Sequence, residues 1–404
     1  MRDAQSVAGT PGKRAIPRTV WMLGLVSLCM DLSSELIHSL LPVFLVSGLG
    51  ASVLAVGIIE GVAEATALII KVFSGALSDW LGRRKALLLA GYGLAALSKP
   101  LFPLAASMET VFAARFIDRI GKGIRGAPRD ALVADVTPPE IRGAAFGLRQ
   151  SMDTVGAVLG PGLAVVLMLV FTDIRQVLWF AVVPGMVAMA LLIWGVRETR
   201  PDAAQARPFC APIRWAAARE FSAAYWRVVA IGAVFTLARF SEAFLILRGL
   251  DMGLSAAWAP VVLIVMSLFF TLSAYPAGWL SDRMPRTVIL AVGLILLMLA
   301  DLVLAVTSGG VWLLLAGAAL WGLHMGFSQG ILSALVADTT PRDLKGTAFG
   351  IFNLASGVCM LIASVLAGWL WQGWGPSATF LAGAVFAGVA LLALVIPMGQ
   401  HRTR

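Results

Sequence analysis

A chain of 404 residues that is 59% hydrophobic and 13% charged is not a soluble globular protein, since such proteins carry about 25% charged residues. A net charge of +9 would suit nucleic acid, but the basic residues gather in short loops between apolar runs, which excludes that partner. The three cysteines, Cys29, Cys210 and Cys359, lie far apart, so neither a disulfide framework nor a metal site is expected.

Residues 1–19 form a polar tail with Lys13, Arg14 and Arg18. The apolar run that follows is too long for a signal peptide and contains Asp31 and Glu35, so it reads as an uncleaved first span. Apolar runs of transmembrane length predict twelve helices, near 20–46, 53–74, 86–105, 110–134, 144–170, 177–196, 228–248, 255–276, 287–306, 312–336, 347–370 and 377–398. Strands are excluded, because lipid accepts only helices or closed barrels. The expectation is an all-α membrane protein with six-helix bundles at 20–196 and 228–398. An arginine-rich linker, 197–227, joins the bundles, and a tail, 399–404, ends the chain. The distribution of basic loops places both termini in the cytoplasm of a plasma (bacterial inner) membrane. A monomer is expected.

Between the second and third runs lies Gly75–Lys85, GALSDWLGRRK, which concentrates charge: Asp79, then Arg83, Arg84 and Lys85. A weaker copy follows 203 residues later, with Gly278, Asp282 and Arg283. There Pro285 stands in place of Gly82, and Thr287 and Val288 in place of Arg84 and Lys85. At the same offset Ala131–Asp135 matches Ala334–Asp338, and Ala145–Gly147 matches Ala348–Gly350. Six helices per repeat preserve orientation, so the halves are related by an axis along the membrane normal, with a site between them at the midplane.

Gly75–Lys85 resembles the signature between helices 2 and 3 of the major facilitator superfamily. Arg119–Gly123, followed by Gly126 and Ala127, resembles that superfamily's helix-4 motif. Here Lys122 replaces the usual glutamine and Arg125 the usual small residue. Gly156–Gly162, with Gly160 and Pro161, resembles the helix-5 motif of proton-coupled antiporters. These glycines also have a plain packing role, because small residues let helices approach closely. The resemblance implies rocker-switch alternating access. It also implies a cytoplasmic gate in which Gly75, Asp79, Gly82, Arg83 and Arg84, with Asp282 and Arg283 in the second copy, latch helix ends. Asp79 is expected to face the start of helix 11 near Gly346.

The N-terminal half holds ionisable residues that lipid tolerates only with partners or water. Asp31, Glu35 and His38 share a face of helix 1; Glu60, Glu64 and Lys71 share a face of helix 2. Arg115, Arg119, Lys122 and Arg129 form a stripe on helix 4. Counting Lys99, Arg125 and Arg149, eight basic side chains oppose seven acids, Asp31, Glu35, Glu60, Glu64, Asp118, Asp130 and Asp153. The near balance predicts a paired network. Asp31, Glu35, Glu60 and Glu64 are candidates for proton coupling, or else structural partners of the helix-4 arginines. His38, Arg115, Arg119 and Lys122 are candidates for the substrate cavity, joined from the second half by Arg239, Glu242, His324 and Gln329.

No GxxxxGK[ST] run is present, so an ion gradient is the expected energy source. No cofactor and no enzymatic constellation are expected. The leading reading is proton-coupled efflux of a small organic solute. A symporter or uniporter for an anionic metabolite or metal chelate is the alternative. A non-transporting receptor or scaffold would have no use for so much midplane charge.

Overall fold

The computed structural model describes residues 15–198, 213, 215–306, 310–341 and 344–396. Residues 1–14, 199–212, 214 and 397–404, and with them most of the expected tails and linker, lie outside the described residues. Among the described residues the chain is all-helical and folds into twelve spans. These are α1 (Arg18–Val43, closing in a wider turn at Phe44–Gly48), α2 (Val53–Leu81), α3 (Arg84–Ser98) and α4 (Met108–Val136). Next come α5 (Arg142–Val170) and α6, in two pieces at Ile174–Trp179 and Val182–Gly195. The second half has α7, in two pieces at Ala223–Ala238 and Ala243–Asp251, then α8 (Val261–Ser281) and α9 (Arg286–Val306). The chain closes with α10 (Val311–Asp338), α11 (Lys345–Trp374) and α12 (Pro376–Val395).

The ends follow local chemistry. Ser52, Ser107 and Ser222 each accept the backbone N–H three residues on, capping α2, α4 and α7. Gly82 ends α2 at φ +59°, the left-handed region where a side chain is strained. Several spans outrun their apolar stretches. α2 continues through Asp79 to Leu81 and α10 reaches Asp338, because backbone hydrogen bonding does not stop where lipid does. Eleven spans are apolar enough to cross a membrane by composition; α4 is not, being striped with charge.

The spacing of Arg239 and Glu242 predicts a local pair one turn apart on a continuous helix 7. Instead α7 breaks between Ala238 and Ala243, and both residues lie in the break.

In the first half α1 packs on α5 and α6, and α4 on α2 and α3; in the second, α10 packs on α8 and α9, and α12 on α7 and α9. The halves meet through α2–α11, α5–α8 and α1 against the second piece of α7. The first two seams exchange under the repeat. The α2–α11 seam runs from Leu54 beside Gly368 to Ile69 beside Gly357, with small residues allowing backbone contact. It ends there. Beyond it, towards the end that carries the 82–83 loop (hereafter the motif end), a Cβ added at Gly346 would meet nothing within 4 Å. Large apolar side chains such as Leu97, Trp194 and Trp312 cover the outer faces, as a multi-pass membrane protein requires.

Candidate functional site

A cavity of about 390 Å³ lies in the first half, against α8 of the second. Its wall runs from Asp31, Glu35 and Glu64, near helix midpoints, to Asp130 and Gln150 towards the motif end. Lys71, Lys122, Arg125, Arg129 and Asp153 add charge; Ala67, Leu68, Ala157, Ser267 and Phe270 add apolar or small surface.

Behind this wall runs a chain of ion pairs. Lys99 donates to Asp118 (2.7 Å) and to Ser34 Oγ (2.8 Å). Asp118 also approaches Arg119 (3.5 Å), and Arg119 pairs with Glu64 (3.1 Å). Arg115 bridges Glu64 (3.7 Å) and Glu60, to which it donates at 2.7 Å. His38 lies between Glu60 (3.7 Å) and Glu35 (3.5 Å). Nearer the motif end, Arg129 and Arg149 share Asp130 and Asp153, while Arg125 faces Asp31 at 4.0 Å and stacks over the Tyr92 ring. Charges so deep persist because each is matched and the matches are linked.

The sequence-predicted residues fall into three groups. Asp31, Glu35, Glu64 and Lys122 line the cavity, whereas Glu60, His38 and Arg115 are buried behind it in contact with one another, and Arg119 is buried between Glu64 and Asp118. None of the candidates from the second half lines this cavity, although Arg239 and Glu242 both lie close enough to feel the charge of Glu64, and Glu242 also that of His38 and Glu35. Arg239 and Glu242 lie in the α7 break with no ion pair between them within 4.0 Å. His324 is fully buried, edge-on to Trp321 and Phe235, and Gln329 is half-buried on α10; neither lines this cavity. Sequence reasoning did not assign Lys71, Asp153, Ser267 or Phe270 to the cavity. For Lys71 the signal was there, one face shared with Glu64.

The α5 glycines sit directly on the acids of α1. A Cβ on Gly156 would meet Asp31 Cβ at 3.0 Å, and one on Gly160 would meet Glu35 Cβ at 2.7 Å and Leu36 N at 2.9 Å. Pro161 is buried beside them, and a Cβ on Gly162 would meet nothing within 4 Å. Gly160→Ala is therefore expected to lower stability by about 1–3 kcal/mol through overpacking against backbone. Gly162→Ala should be neutral or slightly stabilising, because alanine is the better helix former. Thermal midpoints of the two purified variants check this; equal midpoints would show that the α1–α5 contact yields freely.

The Gly75–Lys85 loop forms a latch within its own half. Arg84 donates to Asp79 (3.1 Å), Asp135 (2.5 Å) and Ser78 Oγ (2.9 Å), and its backbone N–H reaches Glu198. Arg83 is exposed at the start of α3, and a Cβ added at Gly75 would meet Ala127 Cβ at 3.4 Å. In the second copy Asp282 is exposed and Arg283 lies over the Trp279 ring at 3.5 Å; Arg286 pairs with Asp338, repeating the Arg84–Asp135 contact.

Comparison with known proteins agrees on the family. The sequence pattern of the Major Facilitator Superfamily matches residues 23–270 and 243–403. An uncharacterized MFS-type transporter of Methanocaldococcus jannaschii is 31% identical, over 95% of this chain and 95% of its own length. The inner membrane transport protein YajR of Escherichia coli is 24% identical, over 95% of this chain and 83% of its own. Among solved structures, a POT family transporter in complex with 5-aminolevulinic acid superposes with a TM-score of 0.75 at 14% identity, covering 94% of this chain and 95% of that one.

Proposed function

The chain belongs to the major facilitator superfamily, and on that premise we propose that it is a proton-coupled secondary transporter that exchanges a small organic solute for protons. The observation that carries the reading is the cavity wall, where Asp31 and Glu35 stand beside a space large enough for a drug-sized solute. A carboxylate that changes partners when protonated can bias which side of the bundle is open. The α5 glycines seated on these two acids support exchange, and hence efflux, because a shift of α5 is felt first at Asp31 and Glu35. The basic loops favour a cytoplasmic motif end, and on that reading the cavity loads from inside the cell.

Purified protein in proteoliposomes, with an imposed pH gradient and an internal pH dye, tests the reading. Addition of a transported solute should evoke proton movement that a protonophore collapses. Solute flux indifferent to the gradient sinks proton coupling, and solute moving in the same direction as the protons replaces exchange with cotransport.

In this cycle the latch acts when the motif end closes. Asp79→Asn removes a contact that is half exposed, so stability should shift by less than about 1 kcal/mol. Turnover should fall while solute affinity stays nearly constant. Measuring flux at saturation beside equilibrium binding separates the two; a large loss of affinity at normal turnover would place the loop at the binding site.

A further inference from the structure

Of the eight interior basic side chains in the first half, Lys99, Arg115, Arg119, Arg125, Arg129 and Arg149 are each held by a carboxylate. Lys71 and Lys122 are not. Among the described residues neither has a carboxylate oxygen within 4.0 Å or a side-chain hydrogen bond, and both are exposed to the cavity that they line. They come from facing helices onto one part of the wall. The Lys71 stem lies along Gly126 of α4, where a Cβ would meet its Cδ and Cε at 3.8 Å. Lys122 stands one helical turn from Gly126. Each of the five acids that share the cavity has a nearer partner than these lysines: Asp31 faces Arg125, Glu35 faces His38, Glu64 is bound by Arg119, and Asp130 and Asp153 are shared by Arg129 and Arg149.

We infer that the cavity takes an amphipathic organic anion, its anionic group between Lys71 and Lys122 and its apolar body against Leu68 and Phe270. The inference rests on the transport reading above and names the solute class for it. Two unmatched ammonium groups beside low-dielectric protein favour a counter-ion. Lysine suits this role, because its ammonium is a compact charge with three donors on a flexible stem, free to follow ligands of different shape. The arginines, locked in their forks with carboxylates, cannot do so without uncovering a buried acid. Export of an anion against entry of a proton also moves positive charge inward on both legs, so the membrane potential drives each of them.

Three probes with one ring system test this: naphthoate, naphthamide and naphthylmethylammonium, each titrated against the purified protein by calorimetry and thermal shift. Naphthoate should bind and the other two should not. Lys71→Gln and Lys122→Gln should each weaken naphthoate about tenfold, the scale of one charge-assisted hydrogen bond. The double variant should lose binding, and Lys→Arg at either position should restore part of it. Because both lysines are exposed, the unliganded midpoints should not move, which separates lost binding from lost fold. Preference for the amide or the ammonium probe, binding by none of the three, or a naphthoate affinity unmoved in the double variant would overturn the inference. Failure of the transport reading looks different: naphthoate would bind in a lysine-dependent way while no solute or proton crossed proteoliposomes.

Discussion

Arg115→Met is expected to lower stability by about 3–5 kcal/mol, the usual cost of leaving one member of a buried ion pair alone. Arg115 is 1% exposed and Glu60 is not exposed at all. The guanidinium donates to Glu60 at 2.7 Å and reaches Glu64 at 3.7 Å, so it ties two positions of α2 to α4. Without it, Glu60 keeps only His38, at 3.7 Å. Exposed pairs such as Arg84–Asp79 contribute far less, because water screens them. The measurement is the thermal midpoint in detergent, taken with the double variant Arg115→Met, Glu60→Leu. The double should recover most of the loss, since removing both charges removes the unmatched one. A single and a double variant that melt together at the low midpoint would show that Arg115 acts by packing.

Much of this arrangement was legible in the sequence, for identifiable reasons. Long apolar runs and the repeat at 203 residues dictate two six-helix halves, because lipid leaves a chain few alternatives. The span α4 shows why one signal was not enough. Its charge lowers its apolar signal, but the i, i+4 stripe of Arg115 and Arg119 keeps helical spacing. Near-equal counts of acids and bases also anticipated a paired network. What the sequence could not supply is who pairs with whom. Arg119 and Lys122 are neighbours on one stripe, yet Arg119 is buried against Glu64 and Lys122 is left with the cavity. That difference depends on where α2 lies relative to α4, a distance that no periodicity encodes. The break in α7 was equally hidden. Residues 239–242 contain no proline or glycine, and Arg239 and Glu242 have the spacing of a helical pair. Within the break Ser241 N donates to Ser364 Oγ of α11 at 3.2 Å, a long-range contact that no local spacing encodes.

Asp31→Asn is expected to abolish solute accumulation driven by a pH gradient, so that the accumulation ratio falls to about one, the value without coupling free energy. Exchange of labelled for unlabelled solute across the same membrane should persist, because the cavity itself is kept. The four candidate acids are not equivalent. Glu60 is enclosed and bound at 2.7 Å, and Glu64 is held by Arg119 at 3.1 Å. Asp31 has the loosest partner, Arg125 at 4.0 Å, and its side chain is 24% exposed at the cavity. A proton reaching it breaks little. The freed Arg125 keeps its stacking on Tyr92, so the neutral state needs no new partner and the variant should fold well. Neutralising Glu60 instead strands Arg115, and its main effect should be on yield and stability. Proteoliposomes loaded with solute and given a pH step measure both flux modes. Accumulation retained by Asp31→Asn but lost by Glu35→Gln would move the proton one turn along α1, still beneath the α5 glycines. Accumulation retained by Asp31→Asn, Glu35→Gln, Glu60→Gln and Glu64→Gln alike would remove the protons from this network altogether.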